Sequence, residues 1–199
     1  MAYTFAGKGY KRTQLNLNLQ RIRLNPKPVR YPGMHFKSEE QAVKYYLENA
    51  EIQDLITSMA RHGYFDEEPL IAIPEHLPEH IKSLPQEELT WNEEYVLHIH
   101  DPVNTFVVME GNRRLAAVLA IMQGKDVFPD HDIPDVPESI MFDLSVIPSI
   151  IYTTEQEVLP YLSVRHAGMA KQWSENEWES FRSRMTSFGH SDDYIELFR

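Results

Sequence analysis

The chain has no cysteine in its 199 residues. That absence excludes a disulfide, a thiolate metal site and a thiol nucleophile, and several enzyme classes with them. No uninterrupted apolar run reaches the length needed to cross a bilayer, and the start, Met1-Ala2-Tyr3-Thr4-Phe5-Ala6-Gly7-Lys8, lacks the apolar core of a secretory signal. We therefore expect a cytoplasmic protein with no membrane partner. A third scarcity is local. Residues 1–37 contain no carboxylate but eight bases (Lys8, Lys11, Arg12, Arg21, Arg23, Lys27, Arg30 and Lys37), leaving 11 basic and 30 acidic residues in the remainder. The net charge of −11 argues against uniform nucleic-acid binding, but a basic segment on an acidic body can meet DNA, nucleotide phosphate or the body itself.

What is present is ordinary for a globular domain. Hydrophobic residues make up 42% and charged residues 25%, and the length suits one well-buried core with a small appendage. Ser38-Glu39-Glu40-Gln41 reads as a helix cap followed by apolar spacing at Ala42, Val43, Tyr46 and Leu47. A second helix is expected from about Glu51 to His62, closed by Gly63, and a buried strand at Pro69 to Ile73. Residues 74–94, with Pro74, Pro78 and Pro85, read as a surface excursion holding at most a short helix. Tyr95 to His100 and Thr105 to Met109 read as a hairpin of two strands. A helix from Arg113 to Met122 should end at Gly124, and residues 125–146 should form an inserted loop. Val146 to Tyr152 has strand character. Thr154-Glu155-Gln156-Glu157 and Ser174-Glu175-Asn176-Glu177 are capping boxes opening two more helices, the first reaching about Val164, and a last helix starts near Ser191.

The stretch Val107 to Val118 concentrates the chemistry. An apolar strand runs into Glu110-Gly111-Asn112-Arg113-Arg114, and the arginines open an Ala-rich helix. Glycine lets backbone approach a ligand closely, while the free N–H groups of a helix start and adjacent guanidinium groups favour phosphate. The bland alternative is that Arg113 and Arg114 pair with carboxylates of the acidic body.

Three blocks in order resemble the N-terminal domain of ParB-like proteins, whose fold is shared with sulfiredoxin, across about residues 15–185. They are Leu19 to Arg30 with its Asn25-Pro26 step, Ile56 to Gly63 followed by Pro69 to Ile73, and Glu110 to Ala117. The resemblance implies an α/β domain in which a small mixed sheet is flanked by helices. It divides the chain into a basic arm at 1–14, a nucleotide-binding domain at 15–173 and a helical extension at 174–199. In partition proteins of this family the motif binds the triphosphate of CTP with Mg²⁺, and binding drives closure of a DNA clamp. By position, Gly111, Arg113 and Arg114 would hold phosphates, with Glu110 and Asn112 in the same turn, and Arg30 would close the pocket from the other side. Asn112 stands where the family has Glu and where sulfiredoxin has its catalytic Cys, so sulfiredoxin activity is excluded. Arg165 and His166 stand where partition proteins carry Glu and Asn, which puts Mg²⁺ use and turnover in doubt and offers a further phosphate-binding cation.

Among other candidates, His166 could donate to a phosphate or act as an acid, and could equally cap helix carbonyls. Trp173, ahead of the cap at Ser174, has the position of a packing staple. His98, His100 and Asp101, and Asp130, His131, Asp132 and Asp135, could suggest metal sites, but such groups are more often solvated surface, and no metal ligand is assigned. The expected function is a ParB-like domain that binds a nucleoside triphosphate, CTP or ATP with or without Mg²⁺, as a switch in a DNA-associated process with slow or no hydrolysis. One alternative is a nuclease using Arg113, Arg114, Arg165 and His166. Another is a DNA-binding module without nucleotide, acting through residues 1–37. A homodimer is left open.

Overall fold

Near-continuous apolar runs on the three central strands shape the architecture, since each of these strands must bury both of its faces. The computed structural model describes residues 12–31, 33–168 and 174–196, except the side chains of residues 166–168. The first half contains β1 (Thr13–Asn18), a 3₁₀ turn (Leu19–Arg21), β2 (Ile22–Arg23), α1 (Glu39–Asn49), α2 (Gln53–His62) and β3 (Leu70–Pro74). Next come α3 (Glu79–Lys82), α4 (Gln86–Leu89), α5 (Glu93–His100), β4 (Phe106–Glu110) and α6 (Asn112–Gln123). The chain continues through α7 (Glu138–Leu144), β5 (Val146–Ile151), α8 (Glu155–Gly168), α9 (Glu175–Ser187) and α10 (Asp192–Glu196).

The five strands form one mixed sheet in the order β1-β5-β3-β4-β2. β5 pairs antiparallel with β1 and parallel with β3, and β4 pairs antiparallel with β3 and parallel with β2. Leu70, Ala72, Phe106, Val108 and Ile147 join a core with Ile56 of α2 and with α6, whose residues Leu115 to Ile121 are all buried. On the opposite face Ile71 and Met109 pack with Val158, Leu159 and Leu162 of α8 and with Trp178, Phe181 and Met185 of α9. The sheet is therefore covered on both sides, and the α/β class expected from the sequence is the one observed.

Three local expectations are corrected. Residues 95–100 are helical, not a hairpin strand: Asn92 Oδ1 accepts from the Tyr95 N–H at 2.8 Å, and Tyr95 and Ile99, one helical turn apart, are buried while Leu97 is exposed. The excursion at 74–94 folds as α3 and α4, each starting after a proline, and each plants one fully buried residue, Ile81 and Leu89. The expected loop at 125–146 contains α7, with Leu144 in the core. The cap at Ser38 and the capping box at Ser174 form as the sequence indicates. Strand β1 begins at Thr13, inside the segment expected as a basic arm. Lys8, Lys11, Trp173 and the His166 side chain lie outside the described residues.

Candidate functional site

The site begins at the turn from β4 into α6. Gly111 takes φ of +95°, a left-handed conformation that L side chains adopt at a cost, and a Cβ there would lie 2.5 Å from Leu70 Cδ2. Asn112 then acts as a clasp. Its Oδ1 accepts from the Asn25 N–H at 2.9 Å and its Nδ2 donates to the Val108 carbonyl at 3.0 Å. Asn25 in turn accepts from the Lys27 N–H at 2.9 Å, so the loop leading to Arg30 is fixed against the motif turn. Both polar ends of Asn112 are thereby spent on scaffold.

The two motif arginines diverge. Arg113 donates from Nη2 to the Glu51 carbonyl at 2.8 Å, and its Nε is buried with no hydrogen-bond partner among the described residues. Glu51 itself has φ of +50°, an uncommon conformation for a residue with a Cβ. Arg114 donates to the Glu68 carbonyl and lies 3.1 Å from the Glu68 carboxylate, with the Tyr64 hydroxyl at 3.5 Å. Burial pushes the Tyr64 phenol up to about 12 against the opposing pull of Arg114, so it stays protonated.

Two further arginines complete the set. Arg165, from α8, places Nη2 3.3 Å from the same Glu68 oxygen and Nε 3.5 Å from Glu110, and donates to the Tyr161 hydroxyl at 2.9 Å. Burial opposes its charge, but Tyr161, Glu110 and Glu68 together outweigh that and hold the guanidinium more firmly protonated than usual. Arg30 lies 3.3 Å from Glu177 of α9.

All four arginines line one cavity of about 490 Å³, together with Glu51, Glu68 and Glu110. Val29, Leu55, Met59, Met109 and Leu162 supply apolar wall, and Tyr31, Tyr46, Tyr64 and Phe65 supply aromatic wall. A cavity of this size, mostly apolar with a few converging polar groups, is the usual form of a small-molecule site. The bland reading of the motif is thus met in part: Arg114 has a carboxylate partner, yet open space lies beside it.

The structure brings together Arg30, Glu110, Gly111, Asn112, Arg113, Arg114 and Arg165. Sequence reasoning missed Tyr46, Glu51, Tyr64, Glu68 and Glu177, which reach the site or its arginines from elements far along the chain. His98 and His100 sit on α5, where a two-residue spacing points side chains apart. Among the described residues no group of three or more His, Asp or Glu is placed to hold a metal ion. The basic segment turns inward at several points. Arg12 lies over the Tyr152 ring at 4.1 Å and 3.2 Å from Glu157, and Arg21 donates to the carbonyls of Ile99 at 2.8 Å and Asn104 at 3.0 Å.

Among the described residues no helix is long and apolar enough to cross a membrane. No protein-family model, curated protein or solved structure matches the chain.

Proposed function

We propose that this domain binds a nucleoside triphosphate, CTP or ATP, in the cavity beside Gly111 and uses it as a switch in a DNA-associated process, with a ParB/sulfiredoxin-like fold as its frame. One observation carries the reading: Arg30, Arg113, Arg114 and Arg165, from three separated parts of the chain, line a single cavity at a glycine-started helix. A chain of phosphates suits such a surface, because guanidinium forks bind phosphate oxygens in pairs and a partly dry pocket strengthens each contact. Glu68 and Glu177 hold the arginines in place and are the counter-ions that an incoming polyanion replaces.

Replacement at Arg30 supplies the switch. Phosphate that draws Arg30 from Glu177 removes one tie between the 25–30 loop and α9, leaving the bond from Arg184 to the Lys27 carbonyl. Among the described residues no group of three or more carboxylates or histidines is placed to hold Mg²⁺, so a cation used here would come with the phosphates. Arg165, standing where partition proteins of the resembled family carry Glu, supports slow or no hydrolysis. The nuclease reading gains no paired-metal carboxylate cluster among the described residues, and DNA binding by the basic segment is weakened where Arg12 and Arg21 are engaged internally.

Calorimetric titration of CTP, ATP, GTP and UTP, with and without Mg²⁺, tests the proposal. One or more should bind to the wild-type chain and fail to bind Arg113→Ala; no heat from any of the four removes the nucleotide reading.

A further inference from the structure

Arg30, Arg114 and Arg165 of the cavity have carboxylate partners inside the protein, whereas one neutral group, the Tyr46 hydroxyl, has no partner among the described residues. Tyr46, on α1, is 1% exposed and lines the cavity, and its hydroxyl is buried without a hydrogen-bond partner among the described residues. Its ring is held by edge contacts with Tyr31 at 5.7 Å and Tyr45 at 6.0 Å and a tilted contact with Phe36 at 6.1 Å, so the hydroxyl cannot swing to another acceptor without disturbing three aromatics. Burial holds the phenol far above its ordinary ionisation range, which keeps it a proton donor. The buried Nε of Arg113 is a second donor without a partner, on a side chain tethered through the Glu51 carbonyl. Left-handed backbone at Glu51 is strain of the sort that gathers at ligand clamps.

A buried polar group without a protein partner is costly, and in native proteins such a group is met by a water, an ion or a ligand. We infer that the Tyr46 hydroxyl is a seat for an uncharged acceptor of the ligand, and that Tyr46 is a specificity-determining residue of the cavity. The seat differs in chemistry from the anion-binding end at Arg114 and Arg165, where guanidinium groups face Glu68 and Glu110. Its hydroxyl donor suits a carbonyl oxygen or ring nitrogen, groups that every nucleobase carries on its edge. The inference rests on the nucleotide reading and adds which end of the nucleotide lies against α1.

The test compares the wild-type chain with Tyr46→Phe, which removes the hydroxyl and keeps the ring. Calorimetry is run with the nucleotide bound most tightly in the four-nucleotide titration and with inorganic tripolyphosphate, alongside thermal melting of the free proteins. The variant should bind the nucleotide about tenfold more weakly, bind tripolyphosphate as the wild type does, and melt at the same temperature or higher, since no internal bond is lost. Unchanged nucleotide affinity overturns the seat, as does an equal loss for tripolyphosphate, which would assign the hydroxyl to phosphate. A markedly lower melting temperature also overturns it by revealing an internal partner. If no nucleotide binds even the wild type, the nucleotide reading itself falls and the seat falls with it.

Discussion

Arg114 and Glu68 are joined twice: the guanidinium donates to the Glu68 backbone carbonyl and also lies 3.1 Å from its carboxylate. The carboxylate, 55% exposed, is shared with Arg165. Its negative charge occupies the place that an anionic ligand would take. Glu68→Gln keeps the backbone bond and removes that competitor, so nucleotide affinity should rise about three- to tenfold, while stability shifts by no more than about 1 kcal/mol, because the carboxylate is half exposed and Arg114 keeps its bond to the carbonyl. Calorimetry and urea unfolding read the two effects separately.

At Gly111 the positive φ and the closeness of Leu70 act together. Gly111→Ala places a methyl group 2.5 Å from Leu70 Cδ2 and 3.1 Å from Arg114 Nη2. We expect a loss of about 1–3 kcal/mol in unfolding free energy, and weaker nucleotide binding in the fraction that remains folded. Retention of full stability would mean that the turn accommodates a side chain.

Asn112 holds two backbone groups, the Asn25 N–H and the Val108 carbonyl. Asn112→Ala should cost about 1–3 kcal/mol, because both groups lose their bonds at once. Asn112→Asp, which keeps the acceptor and loses the donor, should fall between. Denaturant midpoints of the three proteins give the order.

The carboxyl of Glu39, at the start of α1, is raised above its ordinary value by burial, with Arg23 pulling the other way, and Oε2 has no hydrogen-bond partner among the described residues. A raised value in the folded chain means that folding takes up a proton, so this group's stabilising contribution is complete below its unfolded value and is lost as pH climbs through the folded one. Glu39→Gln, which cannot ionise, should therefore gain stability relative to wild type as pH is raised from about 4 to 7. Urea melts across that range would show a constant difference if the carboxyl were ordinary.

The tie between Arg30 and Glu177 connects the cavity to α9. Saturating nucleotide should speed amide exchange in the first turns of α9 several-fold while slowing it at the start of α6. Hydrogen exchange with mass spectrometry resolves both segments, and uniform slowing along the chain would rule out the proposed release.

Much of the local structure is written in short-range signals. The helix starts at Ser38 and Ser174 announce themselves by side-chain caps, and the strand, glycine and arginines of the motif are contiguous, so the core of the site is legible. The error at α5 has a specific source. Tyr95, Leu97 and Ile99 alternate like a half-buried strand, while Asn92 with Glu93 and Glu94 makes the helix start that overrides the alternation. Prolines 78 and 85 read as breakers although each sits just before a short helix, where a fixed φ is no obstacle. The rest of the site was illegible for a different reason. Tyr46 looks like any apolar position of an amphipathic helix, and Glu68 like one more surface acid in Asp66-Glu67-Glu68. Only the sheet order, which sets α1, the 64–69 loop and α8 around the end of β4, gives either a role.

Arg30 and Arg165 stand 135 positions apart, yet they line the same cavity. A molecule gripped by both behaves as a removable staple across most of the polypeptide, adding about 2.7 kcal/mol to the resistance of the whole domain to unfolding at a hundredfold excess over its Kd. During synthesis a grip by both arginines cannot exist until α8 has left the ribosome and docked, so fragments ending before Glu155 should hold the ligand more weakly.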